Sequence, residues 1–85
     1  VDPKLAWADE NLRQSPIDIM QADKLTLMRL PNIGIKGAET ILKARRETKI
    51  QDFGQLTRLG IRTAEQLAPY ILMNGTRPNQ QKKLF

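Results

Sequence analysis

A chain of 85 residues can build one small domain around a single modest core. It contains neither cysteine nor histidine, which excludes thiolate and imidazole chemistry and any zinc or iron–sulfur centre bound through those ligands. A formal net charge of +5 points to a polyanionic partner. No apolar run reaches membrane-spanning length and no signal-peptide pattern opens the chain, so a cytoplasmic location without membrane contact is expected.

Asp2-Pro3 predicts a helix start, with Asp as N-cap and Pro at the first helical position. Leu5, Ala8 and Leu12 then recur at helical spacing up to Ser15-Pro16, with Trp7 beside them. A lone tryptophan in a small domain is far more often a core anchor than a platform for a base, so Trp7 is expected inside. Ile17-Asp18-Ile19-Met20 alternates but is too short to pair into a sheet alone; it reads as an extended connector burying Ile17 and Ile19. A helix follows over about residues 22–29, with Leu25, Leu27, Met28 and Leu30 supplying apolar surface, and Pro31 ends it. After a turn at residues 30–34 comes the longest helix, about 35–48, marked by Ala38, Ile41, Leu42 and Ala44/Arg45. A connector at 50–54 leads into a short helix up to Leu59, Gly60-Ile61 turns the chain, and a last helix covers about 62–72. Pro69 should kink it or leave its end ragged. Beyond Asn74-Gly75 apolar periodicity stops, which predicts a folded domain over 1–73 and a flexible basic tail over 74–85.

One pattern occurs twice, 26 positions apart: Gly34-Ile35-Lys36-Gly37-Ala38-Glu39-Thr40-Ile41 and Gly60-Ile61-Arg62-Thr63-Ala64-Glu65-Gln66-Leu67. The register extends upstream, pairing Leu27 with Phe53, Leu30 with Leu56 and Ile33 with Leu59. Each copy reads as a short apolar helix, a tight glycine turn and a second helix opening with a basic residue, which is a helix-hairpin-helix unit. One unit alone has too little apolar surface to fold and must pack on its copy. The expected fold is therefore all-α: about five short helices in two pseudo-symmetric hairpin units, SAM-domain-like, related by a pseudo-twofold axis.

The first-turn N–H groups of a helix lack intrahelical partners and carry the positive end of its dipole, so they suit phosphate. A glycine before that turn lets a ligand approach without a Cβ in the way. Charge is segregated accordingly. Residues 1–28 carry a net −2, whereas residues 29–62 carry +5. The candidate DNA-backbone contacts are Asn32, Gly34, Ile35, Lys36 and Gly37 in the first turn, and Gly60, Ile61, Arg62 and Thr63 in the second. Lys43, Arg45 and Arg46 are candidate flanking charges, although their spacing cannot put all three on one helix face. Glu39 and Glu65 recur at matching positions, which helix N-terminal placement explains without catalysis. The competing reading makes each hairpin a packing linker only. Phosphate contacts position a protein without reading bases, and no long recognition helix is evident, so binding should be independent of sequence. A monomer that is not an enzyme and carries no cofactor is expected.

Leu27-Met28-Arg29-Leu30-Pro31-Asn32-Ile33-Gly34, with Ala38 and Ile41, resembles the helix-hairpin-helix signature. Ile17-Asp18-Ile19 leading through Ala22 into that helix is similar to the tandem version in bacterial competence DNA receptors. Asp2 to Ala8, Pro16 to Ile19, the Pro-x-Ile-Gly hairpin, Ala44-Arg45-Arg46 and the turn at Leu59-Gly60 together resemble the C-terminal region of a family of DNA modification and repair radical SAM proteins. That resemblance implies a DNA-holding appendage. The family's cluster is held by a cysteine triad, which this chain lacks, so its chemistry does not carry over. The sequence departs from the pattern at Asn32 for the first hairpin glycine, at Met20 for an asparagine, and at Thr57-Arg58 for the second Pro-Gly pair. Asparagine tolerates left-handed backbone better than most residues, so the first turn should survive. The rival class is a protein-interaction module. Gln81-Lys82-Lys83-Leu84-Phe85 resembles the short peptide by which bacterial repair and replication proteins dock on the sliding clamp. On that reading Gln81, Leu84 and Phe85 carry the docking; otherwise the segment is a solvated basic end.

Overall fold

A computed structural model describes residues 2–78. Four α-helices, α1 (Pro3–Asn11), α2 (Lys24–Leu27), α3 (Ile35–Glu47) and α4 (Phe53–Arg58), are followed by a 3₁₀ helix, Ala64–Tyr70. The helices start where their caps dictate. Asp2 accepts from the N–H groups of Lys4 and Leu5, Asp23 from that of Thr26, and Asp52 forms a capping box with Gln55. Their inward faces meet in one core whose fully buried members include Ile19, Leu27, Leu30, Ile33, Ile41, Ile50, Leu56, Leu67 and Ile71.

Five helices are present among the described residues, as expected, but the architecture is not purely helical. Ile17–Asp18 (β1) pairs in parallel with Ile71–Leu72 (β2), Ile17 opposite Ile71. The connector finds its strand partner 54 residues further on, and Ile19 N–H extends the pairing by donating to Leu72 O at 3.0 Å. The final helix is also shorter than expected. It stops at Tyr70 and is wound as 3₁₀, with Pro69 withholding a backbone donor. Helix α2 is four residues long rather than eight: Asp23 caps it two residues late, and it ends at Leu27 with Met28 as C-cap, two residues early. Leu25 consequently points outward and is 74% exposed.

Two further expectations change. Trp7 is 39% exposed, since α1 touches the core only through Ala8 and the C-cap Leu12. Its ring instead receives the Arg29 guanidinium, 5.7 Å from the centroid. Order also continues past residue 73. Met73 bridges to Thr76 around Asn74 (φ 57°) and Gly75 (φ 84°), a left-handed pair of the kind that closes two-residue hairpins. The Asp18 carboxylate clasps this turn, accepting from the N–H groups of Asn74 (3.0 Å), Gly75 (2.7 Å) and Met20 (2.9 Å). Residues 79–85, including Gln81, Leu84 and Phe85, lie outside the described residues.

The 26-residue register holds for four pairs of buried residues in and beside the helices and fails in the turns. Leu27 and Phe53, Leu30 and Leu56, Ala38 and Ala64, and Ile41 and Leu67 are all buried. In the turns, however, Ile33 is buried while its supposed counterpart Leu59 is 37% exposed, and Ile35 is 57% exposed while Ile61 is 5%. The left-handed residue that precedes the buried isoleucine is Asn32 (φ 66°) in the first turn and Gly60 (φ 97°) in the second, a spacing of 28. Ile33 N–H reaches back to Leu30 O, whereas Ile61 N–H reaches back to Leu56 O. On the 26-residue register the second turn's left-handed residue thus comes two positions later, and the helix after it starts three positions later, at Ala64. Gly34 and Gly60 are not equivalent.

Candidate nucleic-acid interface

The two turns face each other across an open groove of about 620 Å³. Asn32, Gly34, Ile35, Lys36 and Gly37 line it from the first hairpin, and Gly60, Ile61, Arg62 and Thr63 from the second. These nine are the turn residues expected from sequence. Lys36 and Arg62 are the only charged residues among them. Glu39, one turn into α3, is drawn aside by Lys24 at 2.8 Å, whose hydrogen bond and charge hold its carboxyl below the ordinary carboxylate range.

The three glycines serve different purposes. Gly60 needs its left-handed φ of 97°. Gly37 lies beneath the groove where the isoleucines of both turns converge: a Cβ there would stand 3.4 Å from Ile33 Cγ2 and 3.6 Å from Ile61 Cδ1. Gly34 has neither reason. Its φ of −105° and ψ of −159° suit any residue, and a Cβ would meet nothing within 4 Å.

Gly34 is the N-cap of α3, and here the pattern of capping breaks. Aspartate side chains cap α1, α2 and α4, but no side chain caps α3, the longest helix. Its first bond runs from Ala38 N–H to Gly34 O at 3.0 Å, so the preceding first-turn N–H groups have no helical acceptor. They open beside Lys36 in the groove. Across it, Asn32 Nδ2 donates to Thr63 Oγ1 at 2.9 Å, tying one turn to the other. Thr63 is itself left-handed (φ 52°), an uncommon conformation for a β-branched residue.

A family model described as the helix-hairpin-helix motif matches residues 13–72, most of the chain and both turns. The chain belongs to the helix-hairpin-helix family. Neither the curated proteins nor the solved structures give a significant match. Helix-hairpin-helix motifs are commonly elements that bind DNA without sequence specificity. Helix α1 precedes the matched segment, yet one of its residues reaches the first hairpin: Lys4 Nζ donates to Ile33 O at 2.6 Å. Nothing local in the sequence signals this contact, which spans 29 positions.

The flanking charges of this helix-hairpin-helix domain do not join the groove. Arg45 is half-buried, and its guanidinium donates to the carbonyls of Ile19 (2.9 Å) and Ala22 (2.7 Å), fastening α3 to the segment before α2. Lys43 lies beside Thr40, Glu47 and Leu59 on another face. Arg46 is exposed in the last turn of α3, roughly 16 Å along the helix axis from its start. Arg45→Ala should therefore cost about 1–3 kcal/mol of stability by stranding two carbonyls, with little change in the salt dependence of DNA binding. Thermal melting and a salt titration of the variant check both halves. Among the described residues no three acidic side chains gather to hold a metal, and no helix is long and apolar enough to cross a membrane.

Proposed function

We propose that this domain holds DNA by its phosphate backbone, without reading sequence, through the first-turn amides of α3 and the charges of Lys36 and Arg62. The observation that carries the reading is Gly34. Neither conformation nor packing requires glycine there, yet among the described residues it stands at the one α-helix N-terminus without a side-chain cap, in a groove lined by two cations and no acid. Absence of a side chain at that point serves close approach from outside. The two hairpins act as pseudo-symmetric halves with unequal tasks: the first donates amides, and the second frames the groove with Arg62.

On the same reading the domain is a monomeric, cytoplasmic DNA-holding part of a DNA repair or modification protein, with the chemistry performed elsewhere. The resemblance to the radical SAM family's C-terminal region supports that context, and the lack of cysteine and histidine supports a binding role without catalysis on this chain.

Contact with three to five phosphates should give a log–log salt slope of about −3 to −4. Fluorescence anisotropy with duplexes of unrelated sequence, from low to moderate salt, measures it. Equal affinities along one steep salt line are expected. Silence at low salt would return the groove to a protein-contact role, and strong dependence on sequence would remove the backbone mechanism.

A further inference from the structure

We propose that Lys4 is a positioning residue for the hairpin's phosphate-facing amides, an inference that rests on the phosphate-binding reading above. Its ammonium reaches from α1 to the carbonyl of Ile33 at 2.6 Å, in a part-buried setting. The Ile33 carbonyl and the Gly34 N–H are two ends of one peptide group. No described peptide bond is cis, and in a trans peptide the N–H points opposite to the C=O. Anchoring the oxygen towards α1 therefore turns the Gly34 N–H away from α1, and Gly34 is a lining residue of the groove.

The ammonium acts in two further ways. It draws electron density from the carbonyl, which makes the N–H of the same peptide group a stronger donor. It also offsets the partial negative charge of the oxygen that shares a peptide group with the N–H an anion would meet. Lys4 is absent from the groove lining, so its influence runs through this peptide rather than through direct contact with phosphate. Helix α1 has other attachments that survive the loss of Lys4. Ala8 and Leu12 enter the core, Trp7 packs under Arg29, and Tyr70 Oη donates to Asp9 at 2.7 Å.

The test uses the whole ¹⁵N-labelled chain with Lys4→Met, Lys4→Gln and Lys4→Arg, and Lys49→Met as a control with the same change of charge on an exposed residue outside the groove. Three quantities are read: the Gly34 amide shift in the free domain, the affinity for a duplex, and the salt slope. Lys4→Met should move the Gly34 amide proton upfield. It should weaken binding about three- to tenfold, the effect of weakening one charge-assisted hydrogen bond, with the slope unchanged. Lys4→Arg should restore both, and Lys4→Gln, which keeps a donor without the charge, should fall between and serves if Lys4→Met does not fold. An unmoved Gly34 amide in a folded variant overturns the proposal. So does an affinity loss no larger than that of Lys49→Met, or a slope shallower by about one, which would mean direct phosphate contact. If the wild-type domain binds no DNA at low salt, the phosphate reading fails, and the Gly34 shift in the free protein still decides whether Lys4 sets this peptide.

Discussion

Gly34→Val should lower the affinity for duplex DNA by about ten- to a hundredfold while leaving the domain folded. The two halves of that expectation have separate causes. The folded state tolerates the change because φ and ψ at Gly34 lie in the extended region and its Cβ position is empty to 4 Å. A β-branched residue is at ease in extended backbone. Exchanging glycine for a non-capping residue at an N-cap costs at most about 1 kcal/mol, which lowers the melting temperature by no more than about 4–8 °C in a domain this small. Binding suffers because the isopropyl group stands over the uncapped amides of α3 and keeps a phosphate from hydrogen-bond distance. Losing one or two charge-assisted N–H···O bonds accounts for about 1.5–3 kcal/mol and hence for the fold-change. Anisotropy and calorimetric melting on the same preparation separate the effects. Undiminished binding by the folded variant would place the DNA site away from α3. A collapse in stability would give Gly34 a structural duty that its surroundings do not show.

The helices and most of the core were readable because their signals are local. Ala38, Ile41 and Ala44 mark one face of α3, and Asp2-Pro3 starts α1. The turn residues of the groove were readable for the same reason, since glycine, asparagine and a following cation are adjacent in the chain. What escaped depends on partners far away in sequence. The β1–β2 pair has two residues in each strand and joins segments 54 positions apart. Arg45 meets carbonyls more than 20 residues upstream, and Lys4 meets Ile33 29 residues downstream. Trp7 reads as a core anchor because a lone tryptophan in a small domain usually is one, but the narrow contact line of α1 leaves it beside the core rather than in it.

The repeat misled in an instructive way. Matching Gly34 to Gly60 and Ile35 to Ile61 aligns the letters correctly and the backbone wrongly. The constraint that sets each turn is a left-handed residue followed by a buried isoleucine, and asparagine meets it at 32 where glycine meets it at 60. An exposed Ile35 and an unconstrained Gly34 follow from that shift.

The largest expected loss of stability lies away from the groove, at Asp18→Ala. One carboxylate accepts three backbone N–H groups, from Met20, Asn74 and Gly75, and so ties the start of the connector to the turn that follows β2. Bonds to a charged acceptor contribute about 1.5–3 kcal/mol each when sheltered. Asp18 is half-buried and the three bonds are not independent, so a total of about 2–4 kcal/mol is expected for removing all of them. In a domain of this size that corresponds to a fall of roughly 10–25 °C in melting temperature. The loss should spread, because the clasp holds Ile71 and Met73 in the core and keeps β2 beside β1. Asp18→Asn retains one acceptor oxygen and should lose about half as much. Amide exchange distinguishes a local from a global effect: Asn74 and Gly75 should lose protection in both variants well below the melting transition, before the amides of α3. DNA affinity measured at a temperature where the variants remain folded should stay near the wild-type value, since no groove residue touches Asp18. Melting of Asp18→Ala within about 4 °C of wild type would show that the three bonds contribute less than about 1 kcal/mol in total and that the β1–β2 pair stands without them.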